Sequence, residues 1–230
     1  MKISVIIPVY NNARTVGRVI AAAKAHPSVA EVIVVCDASQ DGSEKVLEKL
    51  SGIRLIKHAK RQGKGGAVVA GWKAAKHDVI LGLDADLAGV TPDHIDQLIR
   101  MFETGKWDMV IEAGTRLNPF AWVGGTRIYR KHVVFPYRSL AIAVGYGIEQ
   151  VINYAHKEKR VHMIYLPDMG HERKYYRHAP HRAAWLYAKE GWELVRTEYR
   201  LGFPVTRDRL SSARGFIVGL NFLRGMTKYF

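Results

Sequence analysis

The sequence predicts an α/β fold, a mostly parallel central sheet with helices on both faces. Three observations predict it. Short, continuously apolar runs alternate with helical patterns through the first half of the chain. These runs lack the in–out alternation of a strand with one wet face, so both their faces are buried, as in parallel sheets. Finally, the polar clusters follow the runs, which puts them at strand carboxyl ends, where such sheets bind ligands.

Taken in order, Ile3–Val9 reads as the first buried strand, ended by Asn11-Asn12. Residues 13–26 read as a helix with Val16, Val19, Ile20 and Ala23 on one face. Glu31–Cys36 is a second strand, Asp41–Leu50 a helix, Arg54–Lys57 a third strand and Gly66–Lys76 a helix. Val79–Leu83 is the fourth strand. Pro92–Glu103 is a helix with Thr91 as its N-cap ahead of a proline at the first helical position. Met109–Glu112 is a fifth strand. Beyond residue 114 the alternation weakens. Gly114–Gly125 reads as a loop, 132–144 and 148–158 as helices, 161–166 as a strand and 183–200 as a helix.

A chain of 230 residues with 48% apolar content can bury the core of one domain. We expect one domain over 1–206, with a basic amphipathic segment over 207–230. The lone Cys36 excludes an intramolecular disulfide and suits a reducing compartment. No run reaches the ~20 apolar residues of a spanning helix, so the expectation is a cytoplasmic protein, soluble or peripheral on the membrane's cytoplasmic face. The net charge of +14 is uneven: residues 1–114 carry 15 Lys/Arg against 13 Asp/Glu, and residues 115–230 carry 20 against 8. A basic half implies an anionic partner.

Four clusters carry chemistry. Pro8-Val9-Tyr10-Asn11 closes the first strand, and Cys36-Asp37-Ala38-Ser39 closes the second. Gly63-Lys64-Gly65-Gly66 opens a helix, where glycines let backbone approach a phosphate and the helix dipole adds to the Lys64 charge. Asp84-Ala85-Asp86 follows the fourth strand. Both its carboxylates can face one ligand, and hard oxygens at this spacing suit Mg²⁺ or Mn²⁺ bridging a diphosphate. Three of them have a structural alternative: a capping pair for Asp84 and Asp86, an Asx-turn for Asp37, and a basic loop for Lys64.

In order and spacing, these four motifs resemble family 2 glycosyltransferases with the GT-A fold, across about the first 115 residues. Residues 124–130 and 145–149 resemble, less sharply, the family's acceptor-side segments. The resemblance implies that residues 1–114 bind a nucleotide-sugar donor carrying UDP or GDP, through Pro8, Tyr10, Asn11, Asp37, Lys64, Asp84, Ala85 and Asp86. It implies a metal on Asp84 and Asp86, with His171 as a third ligand and His162, His178 and His181 as rivals. Glu149 would be the general base, and Arg116, Arg127 and Arg130 would contact the acceptor from the half spanning 115–206. The family's Asp-Asp-Gly-Ser stands here as Cys36-Asp37-Ala38-Ser39, so the first acid is lost and Gly has become Ala.

The basic half and the terminal segment favour a phosphorylated acceptor, resembling polyprenyl-phosphate sugar synthases. A small phosphorylated acid, as in the retaining glucosyl-phosphoglycerate synthases, is a second option, and a cell-surface glycan a third. A nucleic-acid-binding protein is the rival class, but no HTH, RRM, KH or zinc motif is present, so no nucleic-acid partner is expected. A nucleotidyltransferase would carry a Gly-rich basic loop where Pro8-Val9-Tyr10-Asn11-Asn12 stands.

Overall fold

The computed structural model describes residues 1–114, 121–170, 181, 192–193, 196–197 and 199–201. The first half runs β1 (Ile3–Val9), α1 (Val16–Lys24), β2 (Val29–Cys36), α2 (Ser43–Glu48), β3 (Arg54–Lys57), α3 (Gly63–Ala74), β4 (Val79–Gly82), α4 (Pro92–Glu103) and β5 (Met109–Glu112). The second half adds β6 (Arg127–Arg130), α5 (Lys131–Val134), α6 (Arg138–Ala143), α7 (Ile148–Ala155) and β7 (Val161–Ile164). The seven strands form one sheet in the order β3-β2-β1-β4-β6-β5-β7. It is parallel except at β6, which runs antiparallel to both β4 and β5.

Strand residues alternate between two cores. Ile3, Val5, Ile7 and Val9 of β1 pack against α1 and α4, while Ile6 packs with Ile33, Val35 and Trp72 under α3. Each large apolar chain buried this way contributes about 1.5–3 kcal/mol. α4 shows the local logic. Thr91 Oγ1 accepts from the His94 amide and His94 Nδ1 accepts from the Thr91 amide, with a proline at the helix start. Its buried face is Ile95, Leu98, Ile99 and Phe102.

Chain direction decides where ligands bind. From β1 the chain steps outward to β2 and β3, then returns to the other side of β1 as β4. That reversal makes the carboxyl ends of β1 and β4 the switch point of the sheet, where the flanking helices leave a crevice. Pro8–Asn12 and Asp84–Asp86 lie there.

Three expectations need correction. Residues 127–130, read only as part of an acceptor segment, form the antiparallel strand β6. The helix expected over 132–144 is broken at Phe135–Tyr137, a 3₁₀ turn, because Pro136 has no amide to donate to the α-helical ladder. The helix expected to reach residue 158 stops at Ala155. The expected helix over 183–200 lies partly outside the described residues, and those described from 192 to 200 are helical. The segment 207–230 lies wholly outside them. Among the described residues, no helix is long and apolar enough to cross a membrane.

Candidate active site

Asp84 and Asp86 share one side of the chain. Leu83, Ala85 and Leu87 are buried and point inward, while Asp84 and Asp86 are only half-buried. The loop is held from two sides. Thr15 Oγ1 donates to the Ala85 carbonyl at 2.6 Å, and the Arg18 guanidinium donates to the Ala88 carbonyl. From the other side, the Ala88 and Gly89 amides donate to the carbonyls of Gly170 and Met169, at 2.8 and 3.0 Å. A side chain on Gly89 would strike the Asp168 carbonyl, so the two loops meet backbone to backbone. Ala85 therefore serves the site through its carbonyl and its inward methyl.

Lys64, on the first turn of α3, reaches into the switch-point crevice. Its Nζ lies 2.7 Å from Asp84 Oδ1 and 2.5 Å from Glu149 Oε1. Glu149, on the first turn of α7, is buried. Burial opposes the ammonium charge, but the two carboxylates outweigh it and raise the Lys64 pKa well above the ordinary lysine value. One half-buried cation thus binds two acids, one from each half of the sequence. Gly125 makes room for this arrangement, because a Cβ there would collide with the Asp84 carboxylate. Pro8, Gly125, Arg127 and Ile148 line the same pocket.

The Asp37 side chain is buried, and its carboxylate braces the loop that carries Lys64. Oδ1 accepts from His58 Nδ1 at 2.7 Å and from the Gln62 amide at 2.8 Å, while Oδ2 accepts from the Gly63 amide at 2.8 Å. A carboxylate offers about four lone-pair sites, so one remains, on Oδ2. Tyr10 lies under the Arg61 guanidinium, 3.9 Å from ring centroid to Cζ. Asn11 adopts a left-handed φ of 56°, and its Oδ1 accepts from the Gln40 amide at 2.8 Å. Ala38 also has a left-handed φ, 55°. That backbone is where glycine is at ease, which explains why the related motif carries Gly here. Cys36 is buried at the end of β2.

The acceptor arginines separate. Arg127 is buried and holds the scaffold. Its guanidinium donates to the carbonyls of Trp122, Gly124 and Glu149 and to Asn153 Oδ1, at 3.1 Å for the last. These contacts place it in the wall of the crevice. Arg130 is at the wrong end of the sheet: it pairs with Val79 at the start of β4, whereas Arg127 pairs with Gly82 at its end. There its guanidinium faces Asp78 at 3.6 Å, away from the crevice. Arg116 and His171 lie outside the described residues. Among the described residues, no three His, Cys, Asp or Glu side chains converge as a metal cage. His162 stacks on Trp107 at the far edge of the sheet, with centroids 4.7 Å apart.

Sequence reasoning did not single out Thr15, Arg18, His58 or Gly125. A Gly-Gly pair was visible, but only the fold sets it against Asp84.

A sequence model of glycosyl transferase family 2 matches residues 4–118, half of the chain. An undecaprenyl-phosphate 4-deoxy-4-formamido-L-arabinose transferase of Proteus mirabilis is 36% identical over 124 residues, covering 50% of this chain and 36% of that protein. An uncharacterised glycosyltransferase of Nostoc sp. is 39% identical over 111 residues, covering 45% and 34%. The match thus spans about a third of these relatives' length. Among solved structures, glucosyl-3-phosphoglycerate synthase of Mycobacterium tuberculosis with phosphoglyceric acid superposes with a TM-score of 0.68 at 19% identity, over 87% of this chain and 80% of that one. The same enzyme with Mn²⁺ and UDP-glucose gives 0.61 at 20% identity, over 74% and 71%. At such identities the structures establish a shared GT-A fold. With the family model, the motif order and the switch-point crevice all in agreement, this chain belongs to glycosyl transferase family 2.

Proposed function

We propose that the protein transfers a sugar from a nucleoside-diphosphate donor, UDP- or GDP-linked, to a phosphorylated acceptor, with a divalent metal bound at Asp84 and Asp86. One observation carries the reading: a half-buried lysine is held between the acid of the Asp84-x-Asp86 loop and the acid at the start of α7, at the switch point of the sheet. A purely structural ion pair needs one carboxylate.

The residues fit a Mg²⁺ or Mn²⁺ site. Asp84 and Asp86 offer hard oxygens from one side of the loop, and the missing Cβ of Gly125 gives the Asp84 carboxylate its place. Such ions keep waters and substrate phosphates as their remaining ligands. His171 is the proposed third protein ligand, and its neighbour Gly170 is hydrogen-bonded to the same loop. When bound, the ion would offset charge on the leaving diphosphate.

The chain's own residues then divide the work. Lys64 exchanges its carboxylates for diphosphate oxygens, which leaves Glu149 free to accept a proton. A bond forms between an acceptor oxygen and the anomeric carbon as the bond to the diphosphate breaks. The acceptor's hydroxyl proton passes to Glu149, and an already ionised phosphate acceptor needs no such base. Asp37 offers its remaining Oδ2 lone pair to base or ribose, with Pro8, Tyr10 and Asn11 beside it. The relatives named as undecaprenyl-phosphate transferases support a lipid-linked acceptor used at the cytoplasmic membrane face. The neighbour crystallised with phosphoglyceric acid supports a soluble one.

The test is release of nucleoside diphosphate from UDP- and GDP-sugars, with Mn²⁺ or with chelator. Wild type should require metal, and Asp86→Ala should lose about 10²-fold or more while remaining folded. Undiminished turnover by Asp86→Ala would sink the metal assignment.

A further inference from the structure

The acceptor half contains a second pocket that none of the motifs addresses. On the helical turns from Trp192 to Arg200, Glu193, Arg196, Thr197 and Arg200 follow the i, i+3, i+4, i+7 spacing of a single face. Thr197 is buried on this face, and its hydroxyl donates to the Glu193 carbonyl at 2.7 Å. A side chain on Gly147 would collide with Thr197, so the helix lies directly on the backbone of that segment. Arg196 and Arg200 are exposed beside it. With Glu193, Thr197 and residues 143–145 they enclose a pocket of about 250 Å³.

The opposite side of the same backbone segment carries the donor loop. A Cβ on Gly65 would strike the Ala141 carbonyl, and one on Gly63 would sit 3.7 Å from Gly145 Cα. Residues 141–147 are therefore one backbone layer between the Lys64 loop and the two arginines. Among the described residues, neither guanidinium has an ion-pair partner. Glu193, on the same wall, approaches Gly145: its Oε2 would lie 3.0 Å from a Cβ built there. Two forked cations with one carboxylate beside them suit a phosphomonoester that also carries a hydroxyl. The guanidiniums bind the phosphate oxygens and the carboxylate accepts the hydroxyl proton.

We propose that Arg196 and Arg200 form a phosphomonoester subsite that anchors the acceptor as a handle, one backbone layer from the donor loop. This rests on the transferase reading above. The phosphate has two sources, a small soluble phosphorylated acceptor or a lipid headgroup. Exposed Trp192 and Ile142, neighbours in sequence of Glu193 and Ala143, would sit at the rim in the second case.

The test uses the full chain. Glycerol 3-phosphate, with glycerol as control, is titrated calorimetrically. Separately, the protein is sedimented with phosphatidylcholine vesicles that contain or lack phosphatidic acid. An Arg196→Gln/Arg200→Gln pair is compared with Lys45→Gln/Lys49→Gln, which removes the same charge from exposed positions on and just after α2. We expect the arginine pair to weaken binding by about tenfold or more and the lysine pair to leave it near wild type. Loss confined to glycerol 3-phosphate assigns the soluble source, and loss confined to the phosphatidic acid vesicles assigns the lipid source. If the glutamine pair misfolds, Arg196→Lys/Arg200→Lys keeps charge without the fork and should bind with intermediate strength. The proposal is overturned if wild type binds neither probe, if the arginine variants bind as wild type does, or if the lysine pair loses as much. UDP binding with Mn²⁺ is measured on the same samples. Its absence in wild type, with phosphate binding still dependent on Arg196 and Arg200, would reject the donor reading and keep the subsite.

Discussion

Lys64 and Arg127 are cations that line the same crevice, yet they are held in different ways. Arg127 is held by carbonyls and an amide oxygen. Lys64 is held by the carboxylates of Asp84 and Glu149. Carbonyls cannot titrate and have no role in transfer, so Arg127 is permanent scaffolding that ties β6 to the start of α7. Carboxylates titrate and are wanted by the chemistry, so the Lys64 contacts can be exchanged for a substrate's phosphates. What holds a buried charge indicates whether it belongs to the fold or to the reaction.

Removing Arg127 gives the largest expected effect. Arg127→Met should strand several buried carbonyls and cost about 3–5 kcal/mol. Urea unfolding at neutral pH should show a lower midpoint with an unchanged slope. A midpoint close to wild type would remove Arg127 from the scaffold.

Lys64→Met should reduce nucleoside diphosphate release by about 10²–10³-fold, the usual consequence of removing one charge-stabilising donor. It also removes the Lys64 charge from between the Asp84 and Glu149 carboxylates. One of them should then take up a proton, so its stability deficit relative to wild type should shrink as the pH is lowered. Activity close to wild type would remove Lys64 from the reaction.

His156 sharpens the scaffold side. Burial pushes its pKa down to about 4. A contact with the Ile152 carbonyl opposes this shift, and the Arg127 charge adds to it. The unfolded imidazole takes its proton near pH 6.5, the folded one near 4. Stability is therefore fully present above the higher value and lost as pH falls towards the lower, by about 3 kcal/mol at most. His156→Gln should flatten this part of the stability–pH curve, measured by chemical unfolding. An unchanged slope between those two pH values would contradict the assignment.

The smallest effect concerns Ala38, whose left-handed φ of 55° strains an L-residue. Ala38→Gly should stabilise by about 1 kcal/mol, read as a small rise in Tm. A fall in Tm would mean that its methyl contributes more than the strain costs.

The sequence analysis anticipated local features far better than long-range ones. β1, β3, β5 and α4 lie within the residues expected of them, because each is written in a single run of apolar spacing with its own caps. Thr91 and Pro92 mark the start of α4 through chemistry between near neighbours. β6 escaped because Arg127-Ile128-Tyr129-Arg130 follows a Gly-Gly loop in the half where the strand–helix alternation has weakened. Only the sheet shows that one cation is inside and the other at the opposite rim. The same distance effect hid the bridge from Lys64 to Asp84 and Glu149. All three residues stood out separately, but no local pattern joins residue 64 to residue 149. The burial of Arg127 is likewise set by the carbonyls of Trp122, Gly124 and Glu149, which converge only in the fold.

The central claim is that Asp84 and Asp86 bring a metal to the diphosphate of a nucleotide sugar. Thermal unfolding with UDP or GDP, with and without Mn²⁺, tests it most directly, because a ligand of the native state must raise its stability. One nucleotide should raise the Tm only when Mn²⁺ is present, and Asp86→Ala should abolish this rise. A nucleotide-dependent rise that survives chelator and Asp86→Ala alike would contradict it.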